Sequence, residues 1–142
     1  MRQVSQILQR KGSQVVSLAA DEPVLEAIRL MAEHHIGAVL VMRGDELVGI
    51  ASERDYARKV ILQGRSSSDT PVSTIMSTPV TCVGPQESVE KCMAIMTERH
   101  IRHLPVLEDG RLTGIVSIGD LVKEVIAEQE QEISYLQQYI AS

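Results

Sequence analysis

Ser52 and Asp55 stand three residues apart, and Ser117 and Asp120 repeat that spacing 65 residues later. Each pair closes the same short pattern, Gly49-Ile-Ala-Ser52-Glu-Arg-Asp55 and Gly114-Ile-Val-Ser117-Ile-Gly-Asp120. In both copies a run of strand character ends at the serine and a helical pattern begins. A helix start presents free backbone N–H groups and the positive end of the helix dipole, which suits a phosphate. A hydroxyl there can donate to a phosphate oxygen, and a carboxylate one turn in can accept both hydroxyls of a ribose. The same residues also serve the helix itself, because Ser-x-x-Asp is close to a capping box. A lone match is accounted for by the cap. Two matches in register point to a pair of ligand sites.

The elements that position these residues are duplicated as well. Residues 15–61 fall onto 80–126 without a gap, so that Glu22, Met31, His35 and Gly49 meet Glu87, Met96, His100 and Gly114. A fixed internal period signals a repeated supersecondary unit. Each copy opens on a short amphipathic turn, Val4-Ser-Gln-Ile7-Leu8 and Val72-Ser-Thr-Ile75-Met76, followed by a first strand at Gln14–Leu18 or Val80–Val83. Val24, Ala27, Ile28 and Met31 then line one helical face, as do Val89, Cys92, Met93 and Met96. Hairpins follow at Ala38–Met42 with Leu47–Ser52, and at Leu104–Leu107 with Leu112–Ser117, each with a glycine in its turn. A second helix is expected over Glu53–Leu62, and from Ile118 onward. The fold class is therefore α/β, with two βαββα repeats. The expected boundaries are repeat 1 at 1–64, a polar linker at 65–71, repeat 2 at 72–127 and a helical extension at 128–142. In that extension Val122, Ile126, Ile133, Leu136 and Ile140 keep a near-heptad spacing, with Gln129 as the polar exception, which predicts a helix that forms a dimer.

Composition narrows the function classes. The 142 residues carry a formal net charge of −5, with no Phe or Trp and three Tyr. That balance argues against nucleic-acid binding by a broad basic face, and aromatic stacking has only the three Tyr to work with. No apolar run approaches the roughly 18–20 residues of a membrane span, and Met1–Lys11 lacks the apolar core of a signal peptide. Cys82 and Cys92 form no CxxC and are too few for a disulfide framework, so a reducing cytoplasm is expected. Cys92 lies on the apolar helix stripe and Cys82 at a strand end, both read as structural, with a redox role for Cys82 kept open. There is no HExxH, GxGxxG or P-loop, and His34, His35, His100 and His103 lie near helix ends without metal-ligand spacing. Neither a metal nor catalysis is expected.

These residues carry a family resemblance. The chain resembles a tandem pair of CBS domains, named after cystathionine β-synthase, of the stand-alone kind found in bacteria and plant organelles. The resemblance rests on the repeated Gly-apolar-x-Ser-x-x-Asp pattern and on the stretches SERDYARKV, IRHLPV and GIVSIGDLV. It implies a CBS-pair module with its repeats related by a pseudo-twofold, binding adenosine-containing ligands (AMP, ADP, ATP, NAD(H) or S-adenosylmethionine) in the cleft between them. It implies that Asp55 and Asp120 hold ribose, that Ser52 and Ser117 face phosphate, and that Val16, Ala38, Thr81 and Pro105 line adenine slots.

The copies differ where charge matters. Copy one has Glu53-Arg54 where copy two has Ile118-Gly119, and copy two has Arg102-His103 where copy one has Gly37-Ala38. Arg54 and Arg102 are expected to face the ligand, since a guanidinium suits bidentate phosphate contact. Which of Arg102 and His103 points inward stays open, because strand side chains alternate. Arg58 and Lys59 are expected on a solvated helix face. The resulting expectation is a non-catalytic, homodimeric sensor of AMP, ATP or NAD(H) that signals to a regulated protein. The alternative is a ligand-independent dimerisation module acting on a redox or metabolic enzyme.

Overall fold

The computed structural model describes residues 2–141. They divide into two compact units, one formed by residues 15–80 and the other by residues up to 14 together with those from 81 onward.

In the first unit, β1 (Ser17–Ala19) runs parallel to β2 (Ala38–Arg43), which pairs antiparallel with β3 (Glu46–Ser52) in the order β1-β2-β3. The helix α2 (Val24–His34) turns Val24, Ala27 and Met31 onto this sheet, and the core adds Leu18, Val39, Val41, Ala51 and Val60. The expected helix Glu53–Leu62 is present in altered form. A short α-helix, α3 (Glu53–Tyr56), passes into a π-helical turn at Ala57–Ile61.

The second unit contains α1 (Val4–Lys11), α4 (Val89–Arg99), β4 (His103–Glu108), β5 (Arg111–Ser117) and α5 (Ile118–Ala141). Its core of Val4, Ile7, Val83, Val89, Cys92, Met96, Leu104, Val106, Val116 and Leu121 is as free of aromatic rings as the first. The correspondence between the units reaches fine detail. Both hairpins shift register at the same place, between Val41 and Met42 and between Val106 and Leu107. The helices α2 and α4 both end on a left-handed histidine, His35 at φ 54° and His100 at φ 56°, a conformation His tolerates better than most residues.

One expected element is missing. Val80–Val83 is not a strand; a single parallel bridge, Val83 to Val106, stands in its place and leaves a two-stranded sheet. The cause is proline. In the first unit Leu40 N–H donates to the Val16 carbonyl at 3.0 Å and Ala20 N–H to the Met42 carbonyl at 3.0 Å. The residues equivalent to Leu40 and Ala20 are Pro105 and Pro85, which have no N–H to donate.

The opening turns are also placed unexpectedly. Val4 and Ile7 of α1 are buried in the core of the second copy, and Val72 and Ile75 in the core of the first. Each turn seats a side chain on the glycine that begins the repeated motif. A Cβ on Gly114 would lie 2.7 Å from Leu8 Cδ2, and one on Gly49 would lie 2.7 Å from Met76 Cγ. That glycine therefore admits the opening turn to the hairpin.

Candidate functional site

Each motif sits where its last strand hands over to a helix. Ser52 ends β3 opposite Ala38, the first residue of β2. Its Oγ accepts from Asp55 N–H at 3.1 Å, while Asp55 Oδ2 accepts from Ser52 N–H at 2.9 Å and from Ser52 Oγ at 3.0 Å. Ser117 ends β5 opposite His103, and its Oγ accepts from Asp120 N–H at 3.2 Å while Asp120 Oδ2 accepts from Ser117 N–H at 2.8 Å. Both capping boxes are thus real. They fix each carboxylate beside a strand end with its side chain only 15% (Asp55) or 19% (Asp120) exposed.

A cation reaches each carboxylate. Lys59 Nζ lies 3.2 Å from Asp55 Oδ1 and donates to the Ile75 carbonyl at 3.0 Å. Lys59 is therefore tied to the motif while its side chain stays 44% exposed, and Arg58 is exposed as expected. In the second copy Lys11 Nζ lies 2.8 Å from Asp120 Oδ2 and donates to the Ile115 carbonyl at 3.0 Å. Lys11 was not foreseen as a site residue. It is distant in sequence from the motif, and its only signal was the Arg10-Lys11-Gly12 insertion that distinguishes the two opening segments.

Electrostatics follow from this packing. Burial pushes the Asp120 carboxyl up, but hydrogen bonds from Lys11 and the Ser117 backbone outweigh it and leave its pKa below the usual value. Burial holds His103 below the usual histidine value, against the pull of Asp120, with Lys11 and Arg102 adding to the depression. The order Arg102-His103 is thereby resolved in part: Arg102 is exposed, and His103 is half-buried beside Asp120. The Arg102 carbonyl accepts from Ile118 N–H at 2.9 Å, which locks the entry of β4 to the start of α5.

Of the other expected residues, Arg54 is half-buried within α3, Ala38 and Pro105 are buried, and Val16 and Thr81 are half-buried. The structure brings Ser52, Arg54, Asp55 and Ala38 to one end of the first hairpin, with Val16 bonded to β2 beside it. It brings Ser117, Asp120, Arg102 and His103 to the matching end of the second, with Pro105 two residues along β4.

Cys82 is half-buried and Cys92 buried, and neither is in a disulfide. Burial raises the Cys82 thiol above its usual pKa. Cys92, fully buried in the second core, is pushed up to about 11 by burial and by Glu87. Thiolate, the reactive form, is disfavoured at both. Among the described residues no group of three His, Cys, Asp or Glu is placed to hold a metal ion, and no helix is long and apolar enough to cross a membrane.

This geometry has clear relatives. The chain is 38% identical to the mitochondrial CBS domain-containing protein CBSX3 of Arabidopsis thaliana, over 96% of this chain and 71% of that one. It superposes with a TM-score of 0.88 on a protein with CBS domains from Burkholderia ambifaria, at 53% identity over 90% of this chain and 96% of that one. It also superposes, with a TM-score of 0.74 and 25% identity over 84% of this chain and 89% of that one, on the CBS domain protein PAE2072 of Pyrobaculum aerophilum, solved in complex with AMP. The CBS domain model matches residues 4–61 and again 72–127. With its two repeats, their paired Ser-x-x-Asp helix starts and these relatives, the chain belongs to the CBS domain family.

Proposed function

We propose that this protein is a non-catalytic sensor of adenine nucleotides, AMP, ATP or NAD(H), and that it acts on a partner protein through a change of state on binding. The observation that carries the reading is the pair of half-buried carboxylates, Asp55 and Asp120, each fixed at a helix start and each accompanied by a cation. A carboxylate held in this way offers acceptor oxygens to a ribose diol, and the cations beside it favour a phosphate on the same ligand. The AMP complex of PAE2072 supports the same ligand class. Ser52, Arg54 and Asp55 serve one site with Val16 and Ala38. Ser117, Asp120, Arg102 and His103 serve the other with Thr81 and Pro105. The exposed apolar stripe of α5 supports a homodimer as the working form. A ligand changes the partner's behaviour only through its differential affinity for two states of the protein.

Calorimetric titration with AMP, ATP, NAD(H) and S-adenosylmethionine tests this reading. The expected result is selective binding of a phosphate-bearing nucleotide, weakened in Asp55→Asn and in Asp120→Asn by about 1–3 kcal/mol each. Binding left unchanged in both variants would overturn the site assignment. Absence of binding by any of the four would return the chain to a ligand-independent dimerisation module.

A further inference from the structure

The two copies exchange a charge. Lys59 of the first corresponds to Glu124 of the second. Lys59, one turn after Asp55, reaches back to that carboxylate. Glu124, one turn after Asp120, does the reverse. It is 1% exposed and bound by Arg2 Nη1 at 2.8 Å and Arg10 Nη1 at 2.9 Å, both flanking or within α1. The cation on Asp120 comes instead from Lys11, the last residue of α1. A lysine lost from the helix is thus replaced by one from another element, and it contacts the same carboxylate. The Ser117–Asp120 cap is complete without it, with a hydrogen bond in each direction. The recurring cation offsets the burial of the carboxylate, and it stands where an anion on a ligand held by that carboxylate would meet it.

Resting on the nucleotide reading, we propose that Lys11 selects the charge of the ligand at the second-copy motif. Asp120 Oδ2 accepts from both Ser117 N–H and the Lys11 ammonium. A ligand hydroxyl that bonds this carboxylate competes with Lys11. A hydroxyl at Oδ2 displaces the ammonium and one at Oδ1 only shares the carboxylate with it, and in both cases an uncharged nucleoside brings the ammonium no anion. A ligand that carries a phosphate gives the ammonium a second anion, and the lysine turns from competitor to contact. The base of the lysine stays anchored, because Arg10 and Arg2 hold α1 to α5 through Glu124. Beside it, His103 is kept uncharged near neutral pH by burial and supplies no competing full charge.

The test is calorimetry with AMP and adenosine on the full chain in an Asp55→Asn background, which weakens the first-copy motif so that the second dominates the titration, with a thermal melt of every variant. Lys11→Met is expected to lower AMP affinity about tenfold while adenosine affinity holds or rises, so that the preference for AMP collapses. Lys11→Arg is expected to keep the preference. Arg10→Met loosens α1 without touching Asp120 and is expected to keep it too. A preference unchanged in Lys11→Met while AMP still binds overturns the role of Lys11 alone. An equal loss in Arg10→Met overturns it as well, since helix anchoring would then explain the effect. No AMP or adenosine binding by either the intact protein or the Asp55→Asn background overturns the nucleotide reading and the Lys11 role together, and binding by the intact protein alone overturns the Lys11 role, since the second-copy motif then takes no ligand.

Discussion

At the scale of single residues, the atoms that cap the helix are the ones proposed to meet the ligand. Asp120 and His103 both have pKa values below their usual ones. In each case the unfolded chain binds more protons than the folded chain across the shifted interval, so stability rises with pH there. For His103 the contribution is complete above 6.5 and is lost as pH falls from that value through the depressed folded pKa. For Asp120 it is complete above 3.8 and lost below. The melting temperature is therefore expected to fall as the protein is acidified from pH 6.5, with His103→Gln flattening the upper part of that fall and sparing the lower part. A melting curve of the same slope in the variant would contradict this. The motif residues themselves were legible from the sequence, because a duplicated Ser-x-x-Asp is a strong local pattern. Lys11 was not, because it meets Asp120 through a tertiary contact that no spacing records. Lys59 was visible as a charge near the motif, but its half-burial depends on the Ile75 carbonyl, which belongs to a segment beyond the linker.

At the scale of elements, helix faces and hairpins followed from periodicity. The apolar stripes of α2 and α4, the two hairpins and the run of α5 to Ala141 match the alternation and the 3.6-residue period. The first strand of the second copy did not form, although the reason lay in the chain. Pro85 and Pro105 each remove a donor that the first copy uses, and the loss appears only when the copies are compared bond by bond. The π-helical turn at Ala57–Ile61 has no signature in composition, and such turns often mark functional stretches. The junction of α1 with α5 turns on Glu124. Its replacement by Ala leaves Arg2, whose side chain is 18% exposed, with Gln131 Oε1 at 2.6 Å but no counter-charge, while Arg10 can reach solvent. Urea unfolding is expected to show a loss of about 2 kcal/mol for Glu124→Ala, and less than about 1 kcal/mol for Arg10→Ala. Equal small losses in both would mean that Glu124 does not hold the junction.

At the scale of the whole molecule, the tail of α5 is the longest exposed stretch of helix, tied back at Gln131, which accepts from Arg2 at 2.6 Å. Every residue from Gln129 to Ala141 is exposed, and Ile133, Leu136 and Ile140 keep the apolar side of the helix going with Tyr135 and Tyr139 next to them. An isolated apolar helix face of this kind gains most by burial against another surface. A chain ended after Ala127 is expected to behave as a smaller species by light scattering than the intact protein, at equal concentration. The same oligomer in both would place the interface elsewhere.

The chain repeats in one frame and folds in another. The repeated stretch begins with an amphipathic turn, but that turn completes the core of the copy it does not introduce: α1 belongs with residues 81 onward, and Val72–Thr74 belongs with residues 15–80. The unit that was duplicated is therefore not the unit that closes a core. A segment cut as 1–64 would carry an opening helix shaped for a partner core and would lack the turn that seals its own. A segment cut as 15–80 is continuous and has every buried residue of its core within it. Isolated, residues 15–80 are therefore expected to fold and residues 1–64 are not, a difference that circular dichroism of the two fragments would show.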